Sequence, residues 1–249
     1  MKMKEFIIVI PARLQSTRLP EKPLIEIMGK SIIQRTYEQC LKAVDKELVY
    51  VATDSERIFK HCQSLGMNVL MTSDTALTGT DRVREVVKRI KAKYYINVQG
   101  DEPVFNPEDI NTLLAKIKPI NDNSIIINGF ASIKTENEFN SPSVPKVVFK
   151  PNGDLLYMSR SPIPGNKSHK FNKAWRQVCI YAFPYEVLIN FNSVKKTLLE
   201  EEEDIEILRF LELGYKVRMI ELSSQSIPVD LPEDIIKVQN YLKKNTINE

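Results

Sequence analysis

The segment Pro11-Ala-Arg-Leu-Gln-Ser-Thr-Arg-Leu-Pro-Glu-Lys-Pro-Leu24 carries three cations, Arg13, Arg18 and Lys22, with Glu21 as its only acid and the hydroxyls of Ser16 and Thr17 among them. Arginine offers a planar fork of donors and lysine a flexible point charge, so the set suits a polyanion such as a triphosphate. A solvated basic loop would have the same composition. A second cluster, Asn97-Val-Gln-Gly-Asp-Glu-Pro103, places the carboxylates of Asp101 and Glu102 behind a glycine that permits close backbone approach. Carboxylates beside a triphosphate need a cation between them. Mg2+ takes one or two carboxylates together with phosphate oxygens and water. The same string also reads as a capping turn before a helix at Pro107-Glu-Asp-Ile. His61 and His169 are the only histidines, which excludes a histidine-rich zinc site. Neither G-x-x-x-x-G-K-[ST] nor G-x-G-x-x-G occurs, which weighs against a P-loop or a dinucleotide site.

The elements that must hold these clusters are legible from periodicity. Residues 5–10 form a short apolar run, as expected of a strand covered on both faces, and the basic segment follows it directly. Helical spacing over 31–43 leads into a strand at 48–52. Helices after Asp54 and from about Asp81 then alternate with strands at 69–71 and 94–98. Strands alternating with helices predict a mostly parallel, right-handed α/β sheet, whose ligand sites lie at the carboxyl ends of the strands. Both clusters fall at such ends. Beyond about residue 124 the rhythm changes. Strands at 125–127, 146–149, 155–158 and 177–183, with the turn Pro151-Asn-Gly-Asp154, predict an antiparallel insertion. Helices are expected at 185–192, 202–213 and 233–243, and Ser161 to Lys173 reads as an exposed loop.

The bulk numbers fit this reading. With 249 residues, 43% hydrophobic and 27% charged, the chain can form one large α/β domain, 1–249, without a linker or internal repeat. The net charge of +3 is dispersed, which gives no support for nucleic-acid binding. No apolar run is long enough for a membrane span, and the five apolar residues before Pro11 read as a strand, not a signal peptide. Cys40, Cys62 and Cys179 are odd in number and unevenly spaced, as expected of small buried hydrophobes in a reducing, cytoplasmic compartment.

The basic segment resembles the signature P-A-R-x-x-S-T-R-L-P-x-K-P-L of the CMP-Kdo synthetases (3-deoxy-manno-octulosonate cytidylyltransferases), at every fixed position. The string N-V-Q-G-D-E-P is also the family's, and Val229-Asp-Leu-Pro-Glu-Asp234 is similar to its V-D-T-P-E-D. The resemblance implies a Rossmann-like nucleotidyltransferase sheet flanked by helices. In it, a nucleotide-binding part spans about 1–123 and 223–249, and a sugar-binding and dimerisation part spans about 124–222. It further implies that CTP and an acidic sugar are the substrates, that Mg2+ is the cofactor, and that the protein is a homodimer. Pro11 and Ala12 would line the nucleotide site; Arg13, Ser16 and Lys22 would contact the CTP phosphates, with Arg18 near the reacting groups. Asp101 and Asp230 would bind Mg2+, and Gln99 would contact the sugar acid.

Leu77-Thr-Gly-Thr-Asp-Arg82 resembles the family's S-G-T-[DE]-R turn over cytosine and ribose, which places Thr78, Gly79, Thr80 and Arg82 at the nucleotide; Thr80 would equally serve as a helix cap. In Tyr157-Met-Ser-Arg-Ser-Pro-Ile-Pro164 the resemblance makes Arg160 the partner of the sugar carboxylate. The match weakens further on. Arg176-Gln-Val-Cys-Ile-Tyr-Ala-Phe183 has Gln177 and Cys179 where the family has His and Gly, keeping Tyr181; Asp204-Ile-Glu-Ile-Leu-Arg209 has Ile207 for Gln, keeping Glu206 and Arg209. Unpaired buried polar groups are costly, so such changes can re-specify an acceptor. The expected acceptor is Kdo or a close relative such as 8-amino-Kdo, for lipopolysaccharide or capsule synthesis. The alternatives are another nucleotidyltransferase of this fold and a non-catalytic nucleotide sensor.

Overall fold

The run from Phe6 to Ile10 is unbroken because β1 (Lys4–Ala12) lies between two strands and under helices: Ile7, Ile8, Val9 and Ile10 are all fully buried. The computed structural model describes residues 3–16, 18–76, 78–120, 122–168, 170–191 and 195–246. By its contacts the chain divides into two units, one of residues 1–111 and 225–249, the other of residues 112–224.

In the first unit, β1 is followed by a short hairpin of β2 (Glu26–Ile27) and β3 (Lys30–Ser31), helix α1 (Ile32–Leu41), β4 (Val49–Thr53), α2 (Glu56–Ser64), β5 (Val69–Met71), α3 (Gly79–Val87) and β6 (Ala92–Val98). Helix α4 (Glu108–Ile117) begins in this unit and ends in the other. The strands run parallel in the order β6-β1-β4-β5, with Val9 opposite Asn97 and Ala12 opposite Thr53. Helices α1, α2 and α3 each start at a side chain that accepts from a free amide: Ser31 from Gln34, Ser55 from Ile58, Thr78 from Asp81. The spacing predicts an apolar stripe of Ile32, Ile33, Tyr37, Cys40 and Leu41; helix α1 buries the first four, while Leu41, its last residue, is exposed. Burial pushes the Cys40 thiol far up and the Cys62 thiol up to about 12, which leaves both as inert packing groups.

The second unit contains β7 (Ile125–Ser132), α5 (Glu136–Asn140), β8 (Lys146–Phe149), β9 (Leu155–Ser159), β10 (Trp175–Pro184), α6 (Tyr185–Asn190), α7 (Leu198–Glu203), α8 (Ile207–Glu212) and β11 (Lys216–Glu221). Strands β7–β10, β10–β8 and β8–β9 pair antiparallel, as the insertion predicts. Strand β11, which no turn signal announces, is additional to the expected strands and pairs in parallel with β7. The helix expected over 202–213 is also two helices. Asp204 takes the left-handed conformation (φ 49°, ψ 48°), which a short polar side chain tolerates, and this ends α7 and restarts the chain as α8. The helix expected over 185–192 is α6, and residue 192 lies outside the described residues. Ser161 to Lys173 is an irregular, largely exposed segment; His169 within it lies outside the described residues. Helix α9 (Pro232–Thr246) returns the chain to the first unit.

Candidate functional site

Strand β1 runs two residues further than its apolar pattern suggests, so Pro11 and Ala12 are its buried last residues, beyond the last β1–β6 pair. The turn after β6 comes up against them. A Cβ on Gly100 would stand 2.8 Å from the Pro11 carbonyl oxygen, so only glycine admits this approach. A Cβ on Gly79 would lie 3.3 Å from Pro11 Cγ and 3.6 Å from Gln99 Nε2, so the start of α3 and the Gln99 side chain meet the same point. Three separate motifs converge there.

The loop after β1 is pinned by Leu19, buried with Ile27, Ile32, Val104, Val229 and Val238. The Leu19 amide donates to Ser16 Oγ at 3.3 Å, and Arg13, Leu14, Gln15, Ser16, Pro20 and Glu21 line an open cavity. Arg13 and Arg18 stay exposed. A single turn of 3-10 helix, Lys22–Leu24, then turns Lys22 inward, where its ammonium donates to Asp101 Oδ2 at 2.6 Å and to Asp230 Oδ1 at 3.2 Å. Arg18 Nη2 reaches the same Asp230 oxygen at 3.0 Å. Burial works against the Lys22 charge, but the two carboxylates outweigh it, so its pKa lies above the ordinary lysine value and the ammonium persists.

Two contacts that the sequence did not reveal hold the aspartates together. The Val229 amide donates to the Asp101 carbonyl at 2.9 Å, and the Ser226 hydroxyl donates to the buried Glu102 carboxylate. On the other side, Asp234 Oδ2 accepts from the Asp230 and Leu231 amides at 3.1 and 2.9 Å, fixing the entry to α9. Asn97, two residues before Gln99 on β6, is fully buried with neither side-chain polar atom paired within the protein. Among the described residues no three carboxylate, histidine or cysteine side chains gather as a metal cage. Two carboxylates already sharing one cation nevertheless match the donor set of an ion that completes its shell with phosphate and water.

At α3 the cap is Thr78 and not Thr80. Thr78 Oγ1 accepts from the Asp81 amide at 3.2 Å and donates to Asp81 Oδ2, and the Thr78 amide donates to that carboxylate at 3.1 Å, a complete capping box. Thr80 is buried in the first turn. Arg82 is also buried, pairing with Asp54 at 3.0 Å and donating to Thr72 and to the Ser73 carbonyl, so its guanidinium ties α3 to the ends of β4 and β5.

In the second unit, Gln177 is buried on β10 and its Nε2 donates to Asn128 Oδ1 and to the Tyr181 hydroxyl, both at 3.0 Å. Asn128 in turn donates to the carbonyls of Val178 and Ile180 across a bulge in β10. Arg160 is committed to this chain: Nε, Nη1 and Nη2 donate to the carbonyls of Glu203, Pro142 and Asp204 at 2.6, 2.9 and 3.0 Å. A free fork for a carboxylate therefore requires exchanging these bonds. Glu203 accepts from Tyr157, Ser159 and the Arg160 amide, a hub that nothing in the acidic run Glu200–Asp204 singles out. Glu206, half-buried, sits at the start of α8, and Arg209 is engaged by Glu200.

The Cytidylyltransferase family model matches residues 7–220. A 3-deoxy-manno-octulosonate cytidylyltransferase from Protochlamydia amoebophila is 40% identical over 247 residues, covering 96% of this chain and 95% of that protein. One from Escherichia coli is 37% identical, covering 95% and 96%. The chain belongs to the 3-deoxy-manno-octulosonate cytidylyltransferase family. The solved structure of a CMP:2-keto-3-deoxy-manno-octonic acid synthetase complexed with CTP superposes with a TM-score of 0.89 at 36% identity, covering 97% of this chain and all of that one. As a cytidylyltransferase the chain has the expected α/β architecture. Its Gln177, Cys179 and Ile207 all lie on the second unit, whereas the convergence of Lys22, Asp101 and Asp230 is internal to the first.

Proposed function

We propose that this cytidylyltransferase joins CMP from CTP to 3-deoxy-D-manno-octulosonate, releasing pyrophosphate, with Asp101 and Asp230 as ligands of Mg2+. The observation that carries the reading is the shared ammonium of Lys22, which draws two carboxylates from distant parts of the chain to one cation at the end of β1. The anomeric hydroxyl of the sugar acid attacks the α-phosphorus in line. A phosphorus–oxygen bond forms to the sugar, the bond to the β-phosphate bridging oxygen breaks, and the hydroxyl proton passes to solvent. No protein nucleophile is needed. Arg13, Ser16 and Lys22 hold the phosphate oxygens, and Arg18 offsets charge at the reacting centre. Pro11, Ala12, Thr78, Gly79, Thr80 and Arg82 shape the nucleotide side. Arg82 does so through α3, since both its Nη atoms bond within this chain, to Thr72, Ser73 and Asp54. Bound Mg2+ supplies charge neutralisation at the phosphates. Gln99, Arg160, Gln177, Tyr181 and Glu206 orient the acceptor.

The acceptor is Kdo or a close relative such as 8-amino-Kdo, because Gln177 and Ile207 change which hydroxyl or amino groups of the sugar would find partners. The active form is a homodimer in the cytoplasm, and its product feeds lipopolysaccharide or capsule. Pyrophosphate release measured over CTP, UTP, ATP and GTP, each with Kdo and with 8-amino-Kdo, tests the reading. Release with CTP and Kdo is expected, and nucleotide turnover independent of any sugar acid would contradict it.

A further inference from the structure

The residue just before Lys22 is held in a conformation it would not choose. Glu21 has φ 54° and ψ 26°, left-handed backbone that glycine adopts freely and a side-chain-bearing residue rarely. The twist starts the 3-10 turn that carries Lys22 to the aspartates: the Lys22 amide donates back to the Leu19 carbonyl at 3.2 Å and the Leu24 amide to the Glu21 carbonyl at 2.9 Å. Glu21 also puts a negative charge in the lining of a cavity whose other charged residue is Arg13. Left free, it would repel a polyphosphate. It is not free. Arg57, in the first turn of α2, grips both Glu21 oxygens, Nη1 on Oε1 and Nη2 on Oε2, the latter at 2.9 Å. Such a two-point fork fixes orientation as well as distance.

We propose that Arg57 is a positioning residue for the nucleotide: by clamping Glu21 it holds the left-handed turn that aims Lys22 and removes the Glu21 charge from the path of the CTP phosphates. The inference rests on CTP binding at this loop, and it draws on α2, an element that none of the recognised motifs includes. Ser55 caps that helix and stands two residues beyond Thr53, the end of β4, so the anchor point is a rigid one.

The test is a double-mutant cycle read in two ways. R57A, a change at a well-exposed side chain, is expected to raise the KM for CTP about two- to fivefold with kcat altered by less than about twofold, and the difference should shrink as salt screens the Glu21 charge. In an E21G background, where glycine accepts the turn and no charge remains, R57A should change neither parameter. R57K, which keeps the charge but loses the fork, should fall between wild type and R57A. Hydrogen exchange at the amides of Arg18, Leu19, Glu21, Lys22 and Leu24 without nucleotide should speed up in R57A and not between E21G and E21G/R57A. Equal effects of R57A on KM in both backgrounds, or unchanged exchange in R57A, would overturn the clamp. If the wild-type protein does not turn over CTP, the functional reading fails, and the exchange measurement still decides the clamp.

Discussion

Lys22 bonds to both Asp101 and Asp230, the two residues proposed above as ligands of Mg2+. Its side chain and theirs are 15%, 28% and 33% exposed, so the three charges are partly shielded from water and each depends on the others. Lys22→Met leaves the two carboxylates with only the exposed Arg18, on Asp230, as counter-charge. Its melting temperature without metal is expected to fall below that of wild type, and added Mg2+ should raise it by more than it raises wild type. Turnover should drop by about 10²- to 10³-fold, the usual loss when one phosphate-stabilising donor is removed. Equal Mg2+ shifts in a scan of both proteins would mean that the aspartates do not share a cation. At this scale the sequence was informative wherever like groups cluster, as with Arg13, Arg18 and Lys22 or Asp101 and Glu102. It was silent on pairs whose meaning lies in a distant partner. Ser226 with Glu102 is one, Asn128 with Gln177 another, and composition gives neither away.

The elements of the second unit depend on charges that the helix break at Asp204 puts in place. Burial pushes the Glu203 carboxyl up, but the hydroxyls of Ser159 and Tyr157 and the Arg160 amide outweigh it, leaving the group below its ordinary value of 4.5. A depressed carboxylate contributes stability that is full above the unfolded pKa and lost as pH falls through the folded one. Glu203→Gln should therefore be less stable than wild type at neutral pH, with the gap closing as the solution is taken below about pH 4.5, as followed by chemical denaturation at each pH. One turn away, Glu200 and Arg209 form a two-point ion pair at 2.7 and 2.8 Å, each side chain 1% exposed. Burial is the larger influence on Glu200 and raises its pKa; Arg209 opposes it. Arg209→Ala should cost about 3–5 kcal/mol because it strands a buried carboxylate, whereas Arg209→Met with Glu200→Gln should recover most of that in a denaturant titration. Short alternating strands and a polar residue in left-handed backbone are weak local signals, so β11 and the α7–α8 break escaped the periodicity that found β1, β4, β5 and β6. The 3.6-residue pattern over 202–213 belongs to α8, which buries Ile207, Leu208 and Phe210, whereas α7 buries only Glu200.

On the scale of the whole molecule, Ser226, Val229 and Asp230 lie more than a hundred residues after Asp101, yet belong to its unit because α9 returns to pack against the β2–β3 hairpin. The alternation of strands and helices makes that topology predictable, while the contacts that close it, from Val229 to Asp101 and from Ser226 to Glu102, depend on loops whose sequences carry no period. The nucleotide motifs are contiguous and were read directly. The residues proposed for the acceptor are dispersed over β10, α8 and the segment around Arg160, and it is there that Gln177, Cys179 and Ile207 differ from the motif patterns the sequence otherwise resembles. The most direct test of the account is the rate of pyrophosphate release from CTP and Kdo as Mg2+ is titrated, in wild type, Asp101→Ala and Asp230→Ala. Wild type should be inactive without Mg2+ and saturate with it, and both variants should lose at least about 10²-fold at any Mg2+ concentration. Full activity of Asp101→Ala at the same Mg2+ would contradict the site described above.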